Sequence, residues 1–327
     1  MSNDNTPIKI PPPKFALPNK HFYEVLGTYL GNNNYELSDN KFSEFNFIYL
    51  FNTPKLIFRG SQLSIRINED IARFKWDKDF LDATNSRRYK LIEELKSSGY
   101  QVETKSLRVF WRLVLGLGGV HPQETSMILH HTCGVPYIPG SAIKGVTRHW
   151  AVMKFAEVFE STNESFEEKL LKISRAIEEG LPKPSDSSED KYKDIRDLKI
   201  NVTPRTEDNE QYTESYSVTL EEVSELFGTQ QREGKVIFFD AYPSSEIKLA
   251  LDIMNPHYPD YYTEQKAPAD WQEPNPIKFL TVEKTKFWFI LASRDARLVK
   301  VAKALMIETL LNYGIGAKTA IGYGIFK

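Results

Sequence analysis

An α+β fold is what this sequence predicts, on three observations. Apolar and polar residues alternate through Gln101-Val-Glu-Thr-Lys-Ser-Leu-Arg-Val-Phe-Trp-Arg-Leu-Val-Leu115, which is the period of a strand. Apolar residues recur at helical spacing over Ala142–Phe159 and again over Leu298–Tyr313. From Val102 onward the order is strand, helix, strand, further strands, helix and closing strand. That is the βαββαβ plan of a ferredoxin-like (RRM-like) core, here with an N-terminal extension and large insertions.

Each element has a local reason. Residues 1–20 contain Ile10-Pro-Pro-Pro-Lys14 and few periodic apolar positions, so they predict a flexible tail. Residues 21–100 read as an accessory α+β extension, with helical spacing over His21–Leu30 and Asp79–Lys96 and an aromatic, strand-like stretch at Phe45–Phe51. Residues 101–327 carry the core. In its first strand Leu107, Val109, Trp111 and Leu113 are expected on one face, and Arg108, Phe110 and Arg112 on the other. Gly116-Leu-Gly-Gly119 ends it, and Ser141 is the expected N-cap of the helix that follows, with Val146, Trp150, Met153 and Val158 along its apolar stripe. Residues 161–217 are expected to form an acidic, mobile insertion, partly helical at first and then loop-like. Thr219-Leu-Glu-Glu222 has the form of a capping box and predicts a short helix to Phe227. Strands are expected at Lys235–Ala241, Ile247–Met254, Ile277–Glu283 and Lys286–Ala292, with a loop rich in proline and tyrosine over 255–276. The last helix should turn Val301, Leu305, Leu310 and Leu311 to the core, and Ala320–Phe326 should close the sheet.

Composition narrows the function. With 41% apolar residues the chain can bury a substantial core, and a single cysteine, Cys133, excludes a disulfide framework and points to a reducing, cytoplasmic setting. No apolar run reaches the roughly 18 residues of a membrane helix. The net charge of -2 is unevenly spread, because residues 100–150 hold five Lys/Arg against two acids and residues 284–327 hold eight against two. Positive charge therefore concentrates in two stretches that the predicted fold could bring together.

The second stretch ends in Gly314-Ile-Gly-Ala-Lys-Thr-Ala-Ile-Gly-Tyr-Gly324. Gly314, Gly316, Gly322 and Gly324 permit positive φ and close backbone approach, while Lys318 and exposed amides attract phosphate. Simple turns are the alternative for such glycines. The run is neither a Walker A loop nor a dinucleotide-binding fingerprint. In the first basic stretch Lys144 and Arg148 are spaced i, i+4 and share a helix face. His121, His130, His131 and Cys133 match no standard zinc spacing, so no metal or other cofactor is expected. His130 or His131 with Tyr137 and Lys144 has the makings of acid–base ribonuclease chemistry. Asp240 and Asp252 at strand ends suit metal binding less well than capping or surface roles. Tyr261, Tyr262 and Trp271 suit base stacking or packing.

The run from Val120 to Arg148, Leu226-Phe-Gly-Thr229 followed by Gly234-Lys-Val-Ile-Phe-Phe-Asp-Ala-Tyr-Pro243, and the terminal glycine-rich loop resemble the signature of the RAMP superfamily of CRISPR-associated proteins. With Asn255-Pro-His-Tyr-Pro-Asp-Tyr-Tyr262 the set is most similar to the sixth-subunit family of the Cmr, or type III-B, effector complex. Four motifs in order are more specific than any one alone. The resemblance runs from about residue 107 to the end and leaves the first hundred residues and the acidic insertion unmatched.

The resemblance implies a guide-RNA-binding subunit of a ribonucleoprotein that targets foreign RNA. Its partners would be guide RNA (crRNA), the target RNA and the other Cmr subunits, with no membrane. It would cap the backbone filament toward the guide 3′ end. Target cleavage would belong to a neighbouring backbone subunit, so this chain is expected to be non-catalytic. Carried over by motif, Lys144, Arg148, Gly314, Gly316, Lys318, Gly322 and Gly324 would position phosphates, with His121, His130 and His131 added to the RNA path. A metal-independent endoribonuclease processing precursor guide RNA and a protein–protein adaptor are the alternatives.

Overall fold

The computed structural model describes residues 47, 51, 55–59, 62–66, 69–119, 121, 125–181, 191–203, 215–254 and 276–327. The tail expected over 1–20, the helix expected over 21–30 and nearly all of the loop expected over 255–276 lie outside these residues. The described fold is α+β.

Strands β1 (Lys55–Arg59) and β2 (Gln62–Arg66) form an antiparallel hairpin that the sequence did not announce. The stretch expected to be strand-like at 45–51 is helical at Phe47 and Phe51, the two described residues in it. Their i, i+4 spacing stacks the rings 6.0 Å apart, and Phe47 packs on Phe74 and Trp76. Helix α1 (Lys78–Ser97) forms where expected, capped by Asp77, whose carboxylate accepts the Phe80 N–H at 2.9 Å.

The alternating run 101–115 is two strands in two sheets. β3 (Gln101–Arg108) pairs along its whole length with β11 (Lys286–Ser293). The chain bends at Val109–Trp111, and β4 (Arg112–Leu113) pairs instead with β10 (Ile277–Glu283). The bend explains why Trp111 is 39% exposed although Leu107, Val109 and Leu113 on its expected face are buried. A second antiparallel sheet follows, in the order β4-β10-β9, where β9 is Lys248–Met254. The first has the order β3-β11-β7, with β7 (Val236–Phe238) and the short β8 (Tyr242–Pro243) both paired to β11. Its edge beyond β3 is closed by the chain end: Arg108 and Lys327 exchange backbone hydrogen bonds of 3.0 and 2.8 Å, and Val109 bridges Phe326.

β11 is buried on both faces, which its apolar sequence requires. Phe287 and Phe289 pack edge-on against Phe326, on the face covered by the helix Ala296–Asn312, while Trp288 and Ile290 meet Ile92 of α1.

Helix α2 (Gly140–Val158) starts one residue before the expected N-cap Ser141, and no side chain of its N-cap residue Pro139 caps it. The cap comes from across the fold, since Asp240 Oδ1 accepts the Gly140 N–H at 2.7 Å. Gly140 must be glycine, because a Cβ there would lie 2.1 Å from the Phe238 carbonyl oxygen. The buried stripe is Ile143, Thr147, Ala151 and Phe155, not the expected one through Val146, Trp150, Met153 and Val158. Thr147 disguises that stripe: its hydroxyl donates to the Ile143 carbonyl at 2.7 Å and so can be buried. Asp240→Ala is expected to cost about 1 kcal/mol through the lost cap, measured by urea unfolding. A loss indistinguishable from zero would show that the amide finds another acceptor.

Within the stretch expected as an acidic insertion, helix α3 (Phe166–Glu179) has a capping box between Ser165 and Glu168 and buries Ile173, Ala176 and Ile177. β5 (Lys199–Val202) pairs with β6 (Tyr216–Thr219), two strands the sequence did not suggest; residues 182–190 and 204–214 lie outside those described. The capping box at Thr219 and Glu222 forms as read, opening helix α4 (Leu220–Phe227). Helix α5 (Ala296–Asn312) buries Val301, Leu305 and Leu310 as expected, while Leu311 is half-buried. The closing strand expected over Ala320–Phe326 is a 3-10 turn at Thr319–Ile321 followed by extended chain that pairs near Phe326. Positive φ at Gly322 and Gly324 is incompatible with a continuous strand.

Candidate nucleic-acid interface

The glycine-rich loop is strapped onto the second sheet. Ile315 N–H donates to Gly324 O (3.0 Å), Ala317 N–H to Val114 O (2.9 Å) and Gly324 N–H to Arg112 O (2.7 Å). Two of the glycines are dictated by these straps. A Cβ at Gly316 would lie 2.3 Å from the Val114 carbonyl oxygen, and one at Gly324 would lie 1.9 Å from that of Ile315. Lys318 itself is left-handed, at φ 63°. Among the described residues no acceptor takes the amides of Gly316, Lys318, Thr319 or Ala320. These amides, a left-handed residue and a cation gathered in one turn can chelate an anion.

Beneath the loop lies a polar network that sequence reasoning did not assemble. Tyr323, whose ring is buried with Val114 and Phe279, donates its hydroxyl to Asp252 Oδ2 at 2.5 Å. The same oxygen accepts from Arg112, and Ile253 N–H donates to the other carboxylate oxygen at 2.8 Å. Burial alone would raise the Asp252 pKa, but these hydrogen bonds and the Arg112 charge outweigh it and hold the carboxyl below its ordinary value. Burial, then the bond to Asp252, pushes the Tyr323 phenol up to about 12. Trp111 packs on Tyr323, ring centres 4.9 Å apart and planes tilted by 42°. Asp252 is thereby spent on holding the loop, and Asp240 on capping α2. No group of three or more metal-ligating side chains stands together among the described residues.

Lys144 lies half-buried near the start of α2, and Arg148 one turn on. Arg148 turns into α3, donating to Glu178 Oε1 at 2.8 Å and to the backbone and hydroxyl oxygens of Ser174 at 3.2 Å each. It therefore ties α2 to α3. The same helix reaches the base of the loop, where His149 and Trp150 pack on Tyr313, the residue before Gly314.

The histidines fall into two places. His121 stacks on Phe51 at 4.3 Å, in the aromatic cluster of the first third. His130 and His131 stack on each other at 5.1 Å beside Tyr137 and Tyr242, whose rings are 5.3 Å apart and nearly parallel. Arg88 of α1 closes this second cluster, its guanidinium 3.5 Å from the centre of the Tyr242 ring. Burial, then the neighbouring His131 and Arg88, lowers the His130 pKa below its ordinary value, which favours the uncharged imidazole. Burial likewise lowers His121. Arg88 gave no signal in the sequence, and Tyr242 stood only within the motif Gly234–Pro243, with no spacing that announces their contact.

Comparison with known proteins agrees with the motif order. The chain is 40% identical over 231 residues to the CRISPR system Cmr subunit Cmr6 of Pyrococcus furiosus, covering 65% of this chain and 64% of that one. It is 31% identical over 111 residues to the Cmr6 subunit of Saccharolobus solfataricus, 33% of this chain and 37% of the relative. The chain thus spans less than two thirds of either relative's length. The crystal structure of Pyrococcus furiosus Cmr6 matches 70% of this chain and 97% of its own, at 34% identity and a TM-score of 0.45. A cryo-EM structure of the type III-B Cmr-beta complex bound to cognate target RNA matches 94% of this chain and 86% of its own, at 20% identity and a TM-score of 0.51, a likeness of fold. The RAMP superfamily model matches residues 112–327, from the start of β4 through the glycine-rich loop, and the chain belongs to that superfamily.

Proposed function

We propose that this chain is a non-catalytic, guide-RNA-binding subunit of a cytoplasmic type III-B (Cmr) ribonucleoprotein that targets foreign RNA. It caps the backbone filament toward the guide 3′ end, with guide RNA, target RNA and adjacent Cmr subunits as partners. The observation that carries this reading is the glycine-rich loop, which is fixed to the sheet by its ends and leaves Lys318 and a run of amides at its tip. Phosphates would sit there, with sequence read by pairing between guide and target. Lys144 extends the cationic path, and His130, whose lowered pKa favours the uncharged ring, would stack or hydrogen-bond. The order closing segment, β3, β11, β7, with α2 and α5 as the connecting helices, supports a ferredoxin-like core over 101–327. Residues 1–20 and 21–100 would then be tail and accessory extension, and 161–217 an insertion. No helix among the described residues is long and apolar enough to cross a membrane.

Lys144→Glu combined with Lys318→Glu is expected to weaken guide-RNA binding or complex assembly by about 10- to 100-fold, through lost phosphate contacts. RNA occupancy in the assembled double variant measures this. Undiminished occupancy would sink the assignment.

The His130, His131 and Tyr137 cluster favours a second reading, a metal-independent ribonuclease that processes precursor guide RNA. A neutral imidazole beside a phenol is a competent base. That reading expects the protein alone to cleave repeat-spacer RNA in EDTA and to lose the activity in His130→Ala/His131→Ala. Intact RNA after prolonged incubation removes it.

A further inference from the structure

Three cations stand side by side at one end of the first sheet. Arg108 of β3 is the Cα partner of Lys286 of β11 on one side. On its other side it exchanges both backbone hydrogen bonds with Lys327, the pattern of two residues directly opposite each other. Cross-strand partners point to the same face, so the three side chains form a row across three adjacent strands, about 5 Å from strand to strand. All three are exposed, and Arg108 and Lys286 have no ion-pair partner among the described residues. Like charges directly opposite one another destabilise a sheet. The opposed Arg108 and Lys286 charges are therefore a cost to the fold unless an anion lies along them.

What flanks the row indicates which anion. Phe110, two residues beyond Arg108 on the alternation, is 55% exposed, and the Lys327 ammonium lies 5.4 Å from its ring centre. Both residues border a cavity of about 580 Å³ whose wall includes Asn201, Thr203 and Asn312. The carboxylate in that wall, Glu308, is held by Lys154 at 2.7 and 2.9 Å. An acidic polypeptide would use the cations but leave the exposed Phe110 ring without a role. A single-stranded nucleic acid uses both, since its phosphates need cations and its bases need a flat ring and edge partners. The cavity lies within the size range that takes small molecules, and a nucleobase is of that kind.

We propose that Arg108, Lys286, Lys327 and Phe110 form a second RNA contact, taking consecutive phosphates of a single strand on the row and one unpaired base in the cavity beside Phe110. This rests on the RNA-binding reading above but uses none of the residues assigned there.

The test is the salt dependence of binding by the full chain, alone and within the reconstituted complex. The probe is a fluorescein-labelled unstructured RNA of about ten nucleotides, within the usual span of single-strand sites. Arg108→Gln/Lys286→Gln/Lys327→Gln should reduce the slope of log affinity against log salt by about 2, at roughly 0.7 for each single-strand phosphate contact. Phe110→Ala should weaken binding by about tenfold with the slope unchanged. Thermal stability of the triple variant should be equal to or above that of the parent, because repulsion is relieved. An unchanged slope in the triple variant, with binding lost in Lys318→Glu, overturns the row and leaves the loop reading intact. The reverse pattern keeps the row and removes the loop. A triple variant that keeps RNA but loses binding to polyglutamate makes the occupant an acidic protein and overturns the proposal. No RNA bound in either setting overturns both readings.

Discussion

Gly324→Ala is expected to destabilise the protein by about 4 kcal/mol, near the top of the range for a single substitution. Two costs combine. The residue has φ 69°, where a side chain is strained, and its Cβ would lie 1.9 Å from the Ile315 carbonyl oxygen, which is backbone and cannot swing aside. That carbonyl faces the strap in which Ile315 N–H donates to Gly324 O, so relief of the clash opens the loop. Gly322→Ala is the internal control. Its φ is 95°, but nothing lies within 4 Å of the added Cβ, and the expected cost is about 1 kcal/mol. Urea unfolding of the two variants measures the difference, and RNA binding by whatever remains folded reports on the loop. Equal losses would mean that backbone φ alone sets the cost and that the straps contribute nothing.

Asp252→Ala should cost about 3 kcal/mol, because it strands a cation and a phenol that share one carboxylate oxygen. Arg112 and Asp252 are each only about a fifth exposed, so water replaces the lost partner incompletely. Arg112 Nε is already buried with no hydrogen-bond partner among the described residues, which leaves no slack. The network also sets a pH dependence at both ends of the scale. The folded-state pKa of Asp252 is depressed, so its contribution is present above the unfolded value near ~3.9 and is lost as pH falls through the folded value. The folded-state pKa of Tyr323 is raised, so its contribution is present below the ordinary value of 10.0 and is lost as pH rises toward about 12. Unfolding free energy measured against pH should therefore be flatter at both extremes in Asp252→Ala than in the parent. A parallel curve would assign the acid and alkaline slopes to other groups.

The glycine-rich loop could be singled out from sequence because glycine spacing is a local property. Its attachment could not, because the partners are the carbonyls of Arg112 and Val114 and the carboxylate of Asp252, remote in sequence. Helices α1 and α5 were legible from their apolar period and α4 from its capping box, for the same local reason. The run 101–115 misled because an uninterrupted alternation does not record that its two ends pair with different strands. The stripe of α2 misled because Thr147 satisfies its own hydroxyl within the helix and is buried as if apolar. Arg148 was read as a phosphate ligand from its i, i+4 relation to Lys144, whereas its guanidinium is engaged by Glu178 and Ser174, thirty and twenty-six residues away. The histidine loop was recognised as unusual, but the groups gathered around His130 include Arg88 of α1 and Tyr242 of β8, both remote in sequence.

The pairing of β3 with β11 also sets a timetable for synthesis. Gln101 must wait for Ser293 and Arg108 for Lys286, and the outer edge of β3 waits for Lys327. At ribosomal speeds of 5–20 residues per second, roughly ten to forty seconds separate the emergence of β3 from that of its partner. Throughout that interval the apolar face of β3 lacks both β11 and α5, and α2, whose cap Asp240 also arrives late, has α3 but not α5 to pack on. Nascent chains stalled before residue 286 are thus expected to be protease-sensitive and bound to chaperones, and the fold to be completed in one late, concerted step once residues 286–327 have emerged.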